Sequence, residues 1–347
     1  MIGSARSRTS VTPSFDKDMV GHDTALRTVL QDLRTGRWMS MRALLTHVNY
    51  PVDWAMWSHR TQVLGEAAAG SSVVGAWLKE EPASPAGRVM HARVLVERAL
   101  RAHHCRHPRT QEMWKQAAEA CLLAAHYAPA DPVPWVCRLR LALMDKDQQA
   151  AVHRQVPPET TLPPGPWGLL YEATARDLYN REAHHQMMSF LATRTGGSWG
   201  QANLFVQWVM ERTPEGSALL VLPLYVRTAL WRQRRSPGGH LDVAWVDERA
   251  RREAMWGLLN WFQLSQPSSR SLLDLNHLAH ALWAARLYAE AGTVFEAMGP
   301  YATTRPWEYH TDKRVRPPEY VATEWFVRAR NQCRNASPSA LRASVRC

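Results

Sequence analysis

Histidine and aspartate side chains at helical spacing are the first residues of this chain whose types could do chemistry. His277 and His280 lie three positions apart in an apolar run, and Asp274 precedes His277 by three. Residues at this spacing share one face of a helix, so they could form an acid–base or metal pair if another helix supplied a further ligand. The spacing fits a plain helix-surface pair of Asp274 with His277 equally well.

A denser group of metal-ligand types stands just before Pro108. It consists of His103, His104, Cys105 and His107. Zn²⁺ takes about four nitrogen or sulfur ligands in a tetrahedron. Residues this close in sequence can supply two or three of them, and no second cluster with ligand spacing occurs in the chain. The favoured interpretation is a solvated polar helix end, and we predict no bound metal.

A further histidine pair, His184 and His185, lies on a predicted helix. Adjacent residues on a helix point about 100° apart, so the two do not easily serve one site. We expect one ring to pack and the other to be exposed.

Several signatures of familiar enzymes are missing from the sequence. It has no GxGxxG, P-loop, HExxH or GxSxG motif and no paired CxxC. Such motifs hold phosphates, metals or nucleophiles in many enzymes. Their absence favours a protein that is not an enzyme, and we expect no cofactor.

Two arginine-rich runs contribute to the formal net charge of +11. Arg232–Arg235 and Arg249–Arg252 are interleaved with Trp231, Trp245 and Trp256, and such a patch could bind a phosphate backbone while its rings stack on bases. The favoured alternative places Trp245 and Trp256 in the core and pairs the arginines with neighbouring carboxylates. We therefore do not expect a nucleic-acid partner.

Cysteine use and hydropathy bear on the compartment. None of the five cysteines forms a CxxC pair, and Cys121 and Cys137 lie in apolar helical runs as small core residues. No signal-peptide stretch occurs near the N-terminus and no run approaches 18 apolar residues. We expect a basic, tryptophan-rich cytoplasmic protein with no membrane partner.

Apolar residues recur at steps of three and four through most of the chain, and no β-strand pattern is evident. The stretch Ser271–Tyr301 contains two such runs joined by a short break, which predicts a helical hairpin. The same pattern predicts one long helix over Leu241–Leu264 and a last helix over Glu319–Arg330. The fold class is therefore all-α. We expect a disordered arm at 1–20, a helical body at 21–330 with a subdivision near 236–240, and a flexible basic tail at 331–347.

Three helical stretches share one core pattern: a small residue, a bulky residue four later and another core residue three after that. In addition, Trp135 and Trp167 lie 32 residues apart, and each opens a helix after a Pro-containing turn. A period in the thirties with this pattern resembles the tetratricopeptide repeat, over about a third of the chain. The triplets are Ala117, Cys121 and Ala124; Ala183, Met187 and Phe190; and Ala291, Phe295 and Met298.

The resemblance implies an α-solenoid of antiparallel helix pairs whose concave face holds an extended peptide or partner protein. Asparagine and arginine on such a face can hydrogen-bond a peptide backbone or carboxylate. The alternatives are that these side chains are solvated or intramolecular, or that a small molecule or substrate enters a Trp- and His-lined pocket inside the superhelix. The matching groove positions are Arg140, Glu172, Arg176, Asn276, His280 and Trp283.

Overall fold

The protein is all-α. The computed structural model describes residues 14–15, 20–46, 53–234, 243–310 and 317–336. The chain divides into two compact units, a larger one of His22–Leu230 with Asn260–Ser269 and a smaller one of Met1–Gly21, Trp231–Leu259 and Arg270–Cys347. One of the divisions falls inside a helix, between Leu230 and Trp231.

The larger unit contains most of the helices, and short 3-10 helices at Ala151–His153, Ala218–Val221 and Pro267–Ser269 connect some of them. Helices that follow each other in the chain pack together, among them α5 with α6 and α9 with α10. The helices are α1 Thr24–Arg34, α2 Met39–Thr46, α3 Trp54–Ala68, α4 Val73–Glu80, α5 Pro85–His104, α6 Thr110–Tyr127, α7 Val133–Ala142, α8 Trp167–Thr174, α9 Arg181–Thr193, α10 Trp199–Met210 and α11 Leu222–Arg234.

The smaller unit is built around the hairpin of α14 and α15, against which the C-terminal helix packs. Its one β pairing among the described residues is two residues long and parallel. The elements are β1 Ser14–Phe15, α12 Val243–Val246, α13 Glu248–Trp256, a π-helix Gly257–Phe262 that leads into the larger unit, α14 Leu272–Ala284, α15 Tyr288–Met298, β2 Tyr301–Ala302, a 3-10 helix Trp307–His310 and α16 Pro318–Ala336.

Side-chain caps set several helix starts. Asp23 accepts a hydrogen bond from the backbone N–H of Leu26 at 2.9 Å, and Asp53 accepts one from Met56 at 3.0 Å. These bonds satisfy N–H groups that have no partner within the helix. Aspartate is a preferred residue at this position, so the sequence itself marks both helix starts. The predicted Ser271–Tyr301 hairpin is confirmed by α14 and α15.

The repeated core pattern corresponds to buried side chains. All nine members of the three triplets are buried. Cys137, which was also predicted as a small core residue, is buried as well. Leu122 on α6 is half exposed at 50 %. It follows Cys121 on α6, and the turn of about 100° between neighbours carries it away from the buried face.

The predicted helix over Leu241–Leu264 is wrong as a single element. The chain breaks at Asp247, whose backbone is extended and whose carboxylate caps α13 by accepting from the N–H of Ala250 at 2.5 Å. This local side-chain bond competes with helix continuation. Trp245 is buried as expected, but Trp256 is 51 % exposed, so its assignment to the core is also wrong.

The last helix extends beyond its predicted end. α16 continues to Ala336, because Cys333 is buried and Gln332 accepts a hydrogen bond from the indole N–H of Trp283 at 2.7 Å. The expected tail therefore begins no earlier than residue 337, and 337–347 lies outside the described residues. The expected arm at 1–20, apart from 14–15 and 20, and the subdivision near 236–240 also lie outside them.

A buried ion pair joins two helices of the larger unit and fixes α9. The Arg93 guanidinium on α5 donates to both carboxylate oxygens of Glu182 on α9, at 2.6 Å each. Arg93 also donates to the Ser58 carbonyl and the Thr61 hydroxyl of α3. A paired and hydrogen-bonded charge tolerates burial that a lone charge does not. The start of α9, which carries His184, is thereby held in place.

Candidate binding cleft

A cavity of about 510 Å³ opens in the larger unit, in the size range of ligand pockets. It lies among the loop at 156–158, helix α8 and the C-terminal end of α10. We call this cavity the α8 cleft. Its walls are mainly apolar and aromatic, and the lining includes Val156, Trp167, Tyr171, Leu178, His184 and Trp208.

Two tryptophans form one wall of the α8 cleft. The rings of Trp167 and Trp208 meet edge to face with centroids 5.8 Å apart, and the buried Phe205 ring contacts both. Such edge-to-face pairs are favourable arrangements of aromatic rings. The Trp167 indole N–H donates to the Pro163 carbonyl at 3.0 Å, and that of Trp208 donates to the Glu159 carboxylate at 2.8 Å. Both indole donors are thus already used within the protein.

The loop that forms the opposite side is fastened at its base. Gln155 and Gly165 exchange two backbone hydrogen bonds, and the Gln155 side-chain carbonyl accepts from the N–H of Gly168 at 2.6 Å. This last bond ties the loop to the first turn of α8. A Cβ at Gly168 would lie 2.7 Å from the same side-chain oxygen, so a larger residue there would require the Gln155 side chain to shift.

His184 is a buried polar group in the lining. Its Nδ1 lies 2.8 Å from the Asn180 carbonyl, which can only accept, so Nδ1 carries the proton. Burial lowers the pKa of His184 to about 4, and the ring is therefore neutral near pH 7. In this tautomer Nε2 is a hydrogen-bond acceptor.

The charges at the edge of the α8 cleft compensate one another. Arg212 forms an ion pair with Glu159 at 2.6 Å, and its guanidinium lies 4.8 Å from the centre of the Trp208 ring. Both partners are nearly half exposed. A pair of this kind adds little stability, but it leaves the mouth without a large net charge. The cleft therefore suits an apolar group better than an ion.

Large apolar side chains surround the opening. Val156 is 86 % exposed, Tyr171 is 70 % exposed and Leu178 is 61 % exposed, and all three contribute to the lining. Single exposed apolar residues are ordinary, whereas several of them beside one cavity are typical of interaction surfaces.

The groove residues predicted in the larger unit have intramolecular partners. Arg140 pairs with Glu97 at 2.7 Å, and Arg176 pairs with Glu172 at 2.8 Å. Arg176 also donates to the Pro129 carbonyl at 2.7 Å. A role for these three residues in peptide binding stays a prediction. The α8 cleft uses neighbours of Glu172 on the same helix, Tyr171 and Thr174.

The three groove residues predicted in the smaller unit are buried. Asn276 donates to the Leu272 carbonyl and accepts from the Trp307 indole, each at 2.8 Å, while Trp283 donates to Gln332. His280 is fully buried, and its Nε2 lies 2.8 Å from Nε2 of His310. These contacts tie the residues to their own core, and their assignment to a peptide groove stays a prediction.

The candidate acid–base residues of α14 have a neighbour that was not expected, and their role in catalysis stays a prediction. Asp274, His277 and His280 are all buried on α14, but the ring hydrogen-bonded to His280 belongs to His310. Burial lowers the pKa of His280 to about 3, so this ring is neutral and one imidazole donates to the other. The contact with His310 could not be predicted from the sequence, because His310 lies 30 residues from His280 in the chain.

The proposed metal ligands lie at the C-terminal end of α5. His104 contacts the Leu100 carbonyl at 2.8 Å, and the ring of His107 accepts from the backbone N–H of Arg109 at 3.2 Å. Across the described ranges, no three His, Cys, Asp or Glu side chains come together in an arrangement that could hold a metal ion.

Of the adjacent histidines on α9, His184 is buried as expected. The expectation of an exposed second ring is wrong, because His185 is half-buried and its ring packs against Tyr225. The sequence singled out His184 without indicating what it faces. The remaining lining was missed, although a Pro-rich loop directly before Trp167 was visible in the sequence.

No helix in the described part of the chain is both long and apolar enough to cross a membrane. Comparison of the chain with protein-family models, with curated proteins and with solved structures finds no match.

Proposed function

We propose that this protein is a helical binding module that receives an apolar anchor side chain of a partner polypeptide in the α8 cleft. The observation that carries the proposal is the combination of a cavity of about 510 Å³ with three exposed apolar side chains around its mouth. The binding surface thus lies on α8 and its neighbours.

The apolar mouth favours a polypeptide over a small molecule alone. A small ligand would fill the cavity and leave much of Val156, Tyr171 and Leu178 in water. A peptide whose aromatic side chain enters the cavity would also cover the mouth with flanking residues. One aromatic side chain buries about 150–250 Å², and burial of apolar surface contributes about 25 cal/mol per Å² before the costs of association.

We also propose a tetratricopeptide-like arrangement of the helix pairs. Sequential pairs such as α5 with α6, α9 with α10 and α14 with α15 pack against each other. The shared triplets of small and bulky residues are buried in α6, α9 and α15. These observations support repeated hairpins as the building unit.

Peptide selection followed by affinity measurement tests the binding function. Peptides would be selected on the whole protein from a random displayed library, and their dissociation constants measured for Tyr171→Ala and Leu178→Ala. We expect each substitution to weaken binding about tenfold, because an apolar contact at the mouth is lost. Both side chains are largely exposed, so neither substitution should unfold the protein.

Matched controls come from exposed residues outside the lining. Tyr320 is 72 % exposed and Leu264 is 55 % exposed, and neither lines the α8 cleft. Tyr320→Ala and Leu264→Ala should leave the affinity unchanged. Equal losses in the cleft and control variants, or selected peptides without a shared apolar residue, would contradict the proposal.

A further inference from the structure

The polar groups inside the α8 cleft differ in what they still offer a ligand. The indole N–H groups of Trp167 and Trp208 donate to Pro163 and Glu159. The hydroxyls of Thr174 and Thr213, which also line the cavity, donate to the backbone carbonyls of Leu170 and Val209. These four donors are already used within the protein.

His184 contributes a buried hydrogen-bond acceptor to the lining, and only 5 % of its surface is exposed. Its Nδ1–H donates to the Asn180 carbonyl, and its face stacks on the Phe205 ring with centroids 6.2 Å apart. Both contacts fix the orientation of the imidazole. The ring belongs to the lining, and no side chain or backbone group of the described chain donates to Nε2.

Because His184 Nε2 is a buried acceptor, the affinity of a ligand should depend on whether the ligand can donate a hydrogen bond to it. A ring that fills the cavity displaces the water that would otherwise serve Nε2. If the ring has no donor, the acceptor is left unsatisfied in an apolar site, and this is costly. If the ring carries an N–H toward His184, the lost water contact is replaced.

We propose that His184 Nε2 accepts a hydrogen bond from the indole N–H of a tryptophan side chain that enters the α8 cleft, so that the cleft selects this anchor over donorless rings of the same shape. The inference rests on the proposed function, because it names the anchor that the cleft would receive. His184 is then a specificity-determining residue.

Two probes of equal shape separate the hydrogen bond from the apolar contact. N-acetyl-tryptophanamide carries the indole N–H, and the matching benzothienylalanine amide replaces it with sulfur. Their dissociation constants would be measured by calorimetry on the full chain at about pH 7. We expect the tryptophan probe to bind about 3- to 10-fold more tightly, which is the range for one neutral hydrogen bond.

Substitutions on α9 assign the preference to one atom. His184→Phe removes Nε2 but keeps a ring against Phe205. It should abolish the preference for the tryptophan probe, so that the two dissociation constants become about equal. His184→Asn keeps a donor for the Asn180 carbonyl, lacks an atom in the Nε2 position and should have the same effect. His185→Phe is the matched control, because His185 does not line the cleft, and it should retain the full preference.

The outcomes distinguish this inference from the binding function itself. Equal affinity of the two probes for the wild type, or a preference that survives in His184→Phe, would overturn the role of His184 and leave the binding function standing. If neither probe binds at millimolar concentration, both proposals are overturned. Nitrogen NMR provides a reading that needs no substitution. The Nε2 signal of His184 should move downfield with the sulfur analogue, which displaces water without donating, and it should stay at the position of a hydrogen-bonded nitrogen with the tryptophan probe.

Discussion

At the residue scale, the larger unit places titratable side chains where burial changes their protonation. Asp131 is a clear case, because it is 4 % exposed and follows α6 in the loop before α7. Its carboxylate accepts from the Trp57 indole and from the Val133 backbone N–H, both at 2.7 Å. Burial outweighs these bonds and raises the pKa of Asp131 to about 6.

The raised pKa makes stability depend on pH with a definite sign. The folded state holds the Asp131 proton more tightly than the unfolded state, whose carboxyl titrates at its usual value near 3.8. The contribution of Asp131 protonation to the free energy of unfolding is therefore fully present below pH 3.8 and is lost as the pH rises through about 6. We expect wild type to gain about 2 kcal/mol in free energy of unfolding relative to Asp131→Asn when the pH falls from about 7 to about 4. Chemical unfolding of both proteins across this interval measures the difference.

His184 provides an internal control, because its contribution to stability changes with pH in the opposite direction. Burial lowers its pKa to about 4 in the folded protein, whereas the unfolded ring takes up a proton at its usual value near 6.5. Wild type should therefore lose stability relative to His184→Phe as the pH falls between these values. Parallel stability curves for wild type and Asp131→Asn would contradict the account of Asp131.

At the element scale, the positions of α3 and α5 depend on a close approach at one glycine. A Cβ added at Gly65 would lie 2.7 Å from Cβ of Arg93, the residue that pairs with Glu182 on α9. The approach lets Arg93 reach the Ser58 carbonyl and Glu182 together. The neighbourhood of His184 therefore depends on packing between helices that the sequence shows only as a glycine within a helical run.

Alanine substitutions at two helical glycines test this dependence. Gly65→Ala should destabilise the protein by about 1–3 kcal/mol, because backbone or side chains must shift to admit the methyl group. Gly75 on α4 is exposed and a Cβ there meets nothing within 4 Å, so Gly75→Ala should stabilise by about 0.5–1 kcal/mol. Thermal unfolding of the two variants gives the comparison. An increase in stability for Gly65→Ala would show that the approach is not tight.

Local signals account for the part of the fold that was predictable. Asp23 and Asp53 marked helix starts because capping depends on residues within one turn, and the buried triplets followed from helical periodicity. The break at Asp247 was missed because its capping bond competes with an otherwise continuous apolar pattern. Contacts between distant segments, such as His280 with His310 and Trp208 with Glu159, leave no periodic trace in the sequence.

At the scale of the whole molecule, the two compact units differ in what their aromatic residues do. In the smaller unit, tryptophans surround the buried His280–His310 pair and Trp231, Trp245, Trp283 and Trp307 each contact His280. In the larger unit, Trp167 and Trp208 form the wall of a cavity. The composition shows that tryptophan is abundant. Only the tertiary structure distinguishes the rings that fill a core from those that face a cavity.

The proposed recognition of a partner at the α8 cleft does not rely on the formal net charge of +11. Two arginines of the run Arg249–Arg252 have partners within the protein. Arg249 pairs with Glu253 at 2.9 Å, and Arg251 donates to the Ala285 carbonyl at 2.9 Å. At the α8 cleft, Arg212 is paired with Glu159. Recognition there is expected to depend on apolar contact and one hydrogen bond, and therefore only weakly on salt.

Fluorine NMR of protein labelled with fluorotryptophan tests the location of the binding site most directly. A selected peptide at saturating concentration should shift the signals of Trp167 and Trp208, assigned by single substitutions. The signals of Trp231 and Trp283 in the smaller unit should stay in place. Shifts confined to Trp231 and Trp283, or no shift at Trp167 and Trp208 when the peptide is bound, would contradict the α8 cleft as the binding site.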